Sequence, residues 1–167
     1  MSLQCSGALG GVAKGLQLKE VVSATVTIYS DPFDIQCGGQ TVANYKASLD
    51  KATYVPGDIA TLTITATDAY GNPVSDDAVM GTATAGQEVA IAGSNLTAVS
   101  APTNADTFTG GKKTYKYTVG STEGSYNMVV DLAKYNTTTY AQSAQTVSYS
   151  IKAPSTGAVT NAEVLAA

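Results

Sequence analysis

The chain contains no histidine and no tryptophan, and only 13% of its 167 residues are charged. Each absence closes a class of chemistry. Without His there is no His-based catalytic triad and no His-ligated zinc or iron centre. The two cysteines, Cys5 and Cys37, are too few for a four-cysteine zinc site. The nine basic residues are scattered, with Lys112-Lys113 the one adjacent pair, and the net charge is −4. Nucleic-acid binding needs clustered Lys and Arg, so a nucleic-acid partner is not expected. No apolar run approaches the roughly 20 residues of a membrane helix, so no membrane insertion is expected of this segment. The opening MSLQCSGALGGVAKG has no basic region followed by an apolar core. It does not read as a signal peptide, and any export signal is expected upstream or already removed.

What is present is a chain rich in Thr, Ser, Ala, Gly and Val with a normal apolar fraction of 44%. That composition marks a β-rich protein with a neutral polar surface rather than a disordered chain. The clearest pattern lies at 59–67, where Ala60, Leu62, Ile64 and Ala66 alternate with Thr61, Thr63, Thr65 and Thr67. Successive strand side chains face opposite sides, so this is a strand with one buried and one wet face. Turn chemistry bounds it: Val55-Pro-Gly-Asp58 before, Asp68-Ala-Tyr-Gly-Asn-Pro73 after.

Other segments alternate in the same way. Tyr115, Tyr117 and Val119 share one face of a strand at 113–119, and Tyr126, Met128, Val130 and Leu132 share one face of the next. Val147, Tyr149 and Ile151 alternate at 145–152 and Ala153-Pro154 stops them; Val22, Ala24, Val26 and Ile28 alternate at 21–29 and Asp31-Pro32 stops them. The likeness of these two proline-terminated segments suggests a tandem array cut within a repeat, although 21–29 also reads as one more strand of a single domain. Phe33–Gln36 and Val42–Leu49 read as a broken first strand, and Val74–Met80 as a third strand. Residues 81–110 are loop-rich, with short strands near Val89 and Ile91 and near Leu96 and Val99. The tail from Thr160 reads as a capped helix start too short to be stable alone.

These segments predict an all-β protein, an antiparallel sandwich with Leu62, Ile64, Tyr126, Met128, Val130 and Val147 between its sheets. Thr53-Tyr-Val-Pro-Gly-Asp58, the Thr-rich strand 61–68, Tyr70-Gly-Asn-Pro-Val74 and Gly124-Ser-Tyr126 together resemble the bacterial immunoglobulin-like domains of invasin/intimin-type adhesins and surface-layer proteins. The resemblance covers about 33–153, and 81–110 depart from it in being longer and looser. It implies an immunoglobulin-like sandwich with a stalk or display role, tandem repetition and no catalytic residues. The division expected is 1–32 as the last strands of a preceding repeat, 33–153 as the sandwich, and 154–167 as linker and truncated helix start.

Cys5 and Cys37 form a disulfide or remain two thiols. Asp31, Asp34, Asp68, Asp76 and Asp77 offer hard oxygen ligands for calcium, but Asp in a turn is ordinarily a local hydrogen-bonding cap. Paired acids also serve glycosidases, yet no aromatic subsite accompanies them, so no enzyme and no cofactor are expected. Tyr115, Tyr117, Tyr126 and Tyr149 fall on inward faces and read as core. Tyr54, Tyr70, Tyr135 and Tyr140 are the one set that could instead be exposed as a sugar-stacking platform, core or rim packing being the expected reading. Asn95-Leu-Thr97 and Asn136-Thr-Thr138 match the glycosylation pattern. The expected role is an extracellular, non-enzymatic module of a bacterial cell-surface protein whose partners are neighbouring repeats. A carbohydrate-binding or adhesive module facing host or cell-wall glycan is the first alternative, and a phage structural domain the second.

Overall fold

In a computed structural model, residues 10–135 and 143–154 are described. Eight strands build two four-stranded sheets. The first sheet runs β5 (Asn44–Leu49), β7 (Ile59–Thr67), β10 (Lys112–Val119), β9 (Leu96–Ala98). The second runs β6 (Thr53–Tyr54), β12 (Gln145–Ile151), β11 (Gly124–Leu132), β8 (Val89–Gly93). All pairs are antiparallel except β6 with β12. The sheets pack face to face as an immunoglobulin-like sandwich.

The alternation read from the sequence sets which faces meet. Ala60, Leu62, Ile64 and Ala66 of β7 are buried, as are Tyr115, Tyr117 and Val119 of β10 and Met128, Val130 and Leu132 of β11. Tyr126 is only partly buried, at the core's edge, and its hydroxyl donates to the carbonyls of Thr122 and Glu123 at 3.0 and 3.2 Å. A tyrosine tied back to nearby backbone is a recurrent device in sandwiches. Val147, expected in the core, is half-buried instead.

Three expected elements differ. The segment 21–29 is not one strand: it folds back on itself between β2 (Lys19–Val21) and β3 (Thr27–Tyr29), the amides of Val22 and Ser23 both donating to the Val26 carbonyl. Phe33–Gln36 does not begin the sandwich. It lies in β4 (Phe33–Cys37), which pairs with β1 (Gly11–Leu16) in a sheet of two strands. Together the four strands make a β-ribbon outside the sandwich, with a register shift between Ala13 and Leu16. Val74–Met80 is irregular rather than a strand, because the chain turns at Ser75–Ala78, where the Ala78 amide donates to the Ser75 carbonyl at 3.0 Å. Val74, Ala78 and Met80 are nevertheless buried, with Phe108 from the loop before β10, and together they help fill one end of the core.

The loop-rich 81–110 region has a simple resolution. β8 joins one sheet and β9 the other, so the turn between them steps across the sandwich. Asn95 takes φ 55° there, and its carbonyl accepts the Gly120 amide at 2.8 Å. The expected helix start at 160–167 and the Asn136 glycosylation pattern lie outside the described residues.

Leu62→Ala should lower stability by roughly 2–5 kcal/mol through the cavity it leaves. Thr63→Ala on the opposite face of β7 should stay within about 1 kcal/mol. Urea denaturation of the two variants checks the assignment, and equal losses would contradict it.

Candidate functional site

The strands place two poles at opposite ends of the sandwich. At the proximal pole the chain enters β5, the Ala43 amide donating to the carbonyl of Thr67, the last residue of β7. At the distal pole it leaves β12, the Lys152 amide donating to the Tyr54 carbonyl. Gly57 and Val119 meet there, beside the start of β7. Nine residues of β7 separate the poles by roughly 30 Å.

The proximal pole carries the most constrained polar group in the described structure. Asp68 follows β7 and is only 3% exposed. Its Oδ1 accepts the amides of Tyr70 and Asn72, each at 2.9 Å. Its Oδ2 accepts the Gly39 amide at 3.0 Å and the Asn72 side-chain amide at 3.3 Å. Burial alone would push this carboxyl's pKa up, but the N–H donors of Gly39, Asn72 and Tyr70 outweigh it and hold the pKa below the ordinary value.

The local sequence explains the turn. The Gly71 amide closes back on the Asp68 carbonyl at 3.1 Å, with Gly71 at φ 81°, a conformation that glycine alone adopts without strain. Asn72 does not need that conformation; its contribution is its side chain. The Asn72 Oδ1 accepts from the Gln36 side-chain amide, and its Nδ2 donates to the Cys37 carbonyl at 3.4 Å. Pro73 then returns the chain beside β7, and the Ser75 amide donates to the Gly39 carbonyl at 3.0 Å.

Gly39, Gln36 and Cys37 belong to the base of the ribbon. The Asp68–Pro73 loop therefore joins ribbon to sandwich, and it does so at close quarters. A Cβ on Gly38 would sit 1.9 Å from the Pro73 carbonyl oxygen, so only glycine permits the approach. Phe33 pairs with Leu16 inside the ribbon, and the junction to the sandwich is made by Gln36–Gly39.

The other candidates disperse. Asp31 and Asp34 lie on the ribbon, where Asp34 Oδ1 accepts the Gly15 amide. Asp76 Oδ1 accepts the Gly110 amide at 2.7 Å, the turn-capping role. Among the described residues no three of His, Cys, Asp and Glu are grouped to hold a metal. Cys37 sits at the end of β4; Cys5 lies outside the described residues.

The described tyrosines of the candidate set do not form an exposed platform. Tyr54 and Tyr135 are buried at 1% and 2% exposed, and Tyr140 is outside the described residues, which leaves Tyr70 exposed at 69%. Tyr54 donates to Asp50 Oδ1 at 2.7 Å and Tyr135 to the Val79 carbonyl at 2.5 Å, so each hydroxyl is hydrogen-bonded at the edge of the core. A shallow hollow of about 460 Å³ lies beside Tyr126 and Tyr149. The ring of Tyr149 is buried, and the polar rim is paired with itself, Ser148 with Asn127 and Thr53 with Ser150. Tyr126, partly exposed, is the other ring that lines it.

Replacing Asp68 by Ala should destabilise the protein by about 3 kcal/mol, because it leaves several buried N–H donors unmet. The pH sign follows from the depressed pKa. The stabilisation is present above the ordinary carboxyl value of 3.8 and is lost as pH falls through the folded-state value. Asp68→Asn removes that titration, so its stability should fall less steeply than wild type below pH about 4, where Asp50, Asp58 and Asp106 still contribute. Denaturant midpoints from pH 2 to 7 check this; parallel slopes for the two proteins would contradict it.

No protein-family model and no curated protein sequence matches the chain. Solved structures that resemble it do so at the level of fold. The adhesin InvE of Yersinia pseudotuberculosis aligns at 19% identity and TM-score 0.41 over 63% of this chain and 26% of its own. The D00-D0 domain of intimin aligns at 19% identity and TM-score 0.44, over 75% of this chain and 58% of its own. A glycosyl hydrolase family 2 member from Bacteroides cellulosilyticus aligns at 13% identity and TM-score 0.45, over 74% of this chain and 16% of its own. The chain thus spans about a quarter of the InvE chain and under two thirds of the intimin fragment.

Proposed function

We propose that this chain is a non-enzymatic structural module of a bacterial cell-surface protein, an extracellular spacer, stalk or surface-layer unit set among neighbouring modules. The observation that supports this reading most is the two-pole geometry. The chain enters the sandwich at one end and leaves at the other, so each such module adds roughly 30 Å of reach. A spacer also needs joints that hold an angle, and the Asp68–Pro73 loop is built as one. Its surface suits the role as well. Thr and Ser fill the outward positions of β7 and β12, and Ser125, Asn127, Val129 and Asp131 those of β11, with little charge.

Antibodies raised against the purified sandwich should label intact cells of the producing bacterium, and the purified protein should retain no sugar on a glycan array. Labelling only after lysis would contradict surface placement. A glycan held at micromolar affinity would instead establish an adhesive or carbohydrate-binding module. Hydrolase turnover lost in Asp76→Ala or Asp77→Ala protein would overturn the non-enzymatic reading.

A further inference from the structure

The base of the ribbon carries a covalent fastening beside its hydrogen bonds. Cys37, the last residue of β4, is disulfide-bonded and half-buried. The sequence holds one other cysteine, Cys5. Cys37 stands opposite Gly11, the first residue of β1, and its carbonyl accepts from the Asn72 side chain. Two residues on, the Gly39 amide donates to Asp68. The bond therefore lies at the junction of ribbon and sandwich rather than out along the ribbon.

Gly10, just ahead of β1, lies against the same junction. A Cβ built on it would run into Asp68 Oδ2 and come within 2.7 Å of the Gly39 nitrogen. Only bare backbone fits there, and it helps to close the Gly39–Asp68 hydrogen bond off from water. A chain end frays unless something ties it down, and a two-stranded ribbon is marginal in water by itself. We propose that Cys5 and Cys37 form one disulfide and that it clamps the start of β1 over Asp68, which makes the ribbon's docking on the sandwich redox-sensitive. Opening the bond takes a dithiol. Its thiolate attacks one sulfur to form a mixed disulfide, and its second thiol resolves that intermediate. Two electrons and two protons pass to the protein, Cys5 and Cys37 become thiols, and the dithiol leaves as a disulfide. Gly10 can then lift, water reaches the carboxylate, and the Gly39 amide opens. The bond cross-links no two residues of the sandwich, so the sandwich stays folded.

A bond of this kind persists in oxidising surroundings, but it is tested on the purified chain and does not depend on cell-surface placement. Peptide mapping of the unreduced protein should recover Cys5 linked to Cys37. Amide exchange at Gly39 is then followed with and without dithiothreitol. Reduction should speed it at least about tenfold, while the amides at the centre of β7 keep their protection. Cys5→Ser protein should exchange like the reduced wild type and ignore the reductant. Gly10→Ala should expose the Gly39 amide with no reductant present, because the added methyl displaces the covering backbone. Two alkylatable thiols in the unreduced protein overturn the inference, as does Cys37 linked to another copy of the chain. So does a Gly39 amide indifferent to reduction, to Cys5→Ser or to Gly10→Ala, or a loss of protection that spreads to β7.

Discussion

One buried carboxylate holds two pieces of this protein together. Moving an isolated carboxylate out of water costs several kcal/mol, and Asp68 is almost wholly covered. Four N–H groups offset that cost, two from the turn backbone, one from the Asn72 side chain and one from Gly39. The Gly39 bond differs in kind from the other three. Those hold the turn in shape, whereas it reaches across to the base of the ribbon. Removing it takes one of four donors from a buried charge and leaves the Gly39 N–H unmet in a site where water has little access, so the turn and the docked ribbon stabilise each other.

This coupling rests on the sandwich behind it. Asp68 is placed by β7, whose inward residues Ala60, Leu62, Ile64 and Ala66 are locked in the core, and β7 is bonded on both sides by β5 and β10. The position of the carboxylate is therefore fixed by apolar packing, and the carboxylate in turn fixes the ribbon. Gly38 sets how close the two can come. A side chain there would open the contact and let water reach the carboxylate, weakening the hydrogen bonds that fix the ribbon.

Much of the sandwich was legible in the sequence because it obeys one local rule. Wherever a strand has one wet and one buried face, mostly polar residues alternate with apolar ones: Thr, Ser or Lys on β7, β10 and most of β12, and Ser125, Asn127 and Asp131 with Val129 on β11. Where the rule is silent the reading failed. The alternation from Val21 to Tyr29 is real, but it runs straight through the turn at Ser23–Thr25, which has no Gly, Pro or Asn to announce it. Buried residues in irregular chain, such as Val74, Met80 and Phe108, have no periodicity to betray them. Tyr54 and Tyr135 sit outside the alternating strands that mark inward positions, yet both rings are buried and their hydroxyls are paired. Asp68 was recognisable as a turn cap. Its second role depends on Gly39, 29 residues away, a separation that no local pattern encodes.

Amide hydrogen exchange at Gly39 tests the central claim most directly. The claim is that a bond from Gly39 to the Asp68 carboxylate fastens the ribbon to the sandwich. In the wild-type protein the Gly39 amide should exchange at least about 100-fold more slowly than an unprotected amide. In Asp68→Asn protein that protection should collapse while the amides at the centre of β7 keep theirs. A Gly39 amide that exchanges freely in the wild type, or one equally protected in both proteins, would contradict the account.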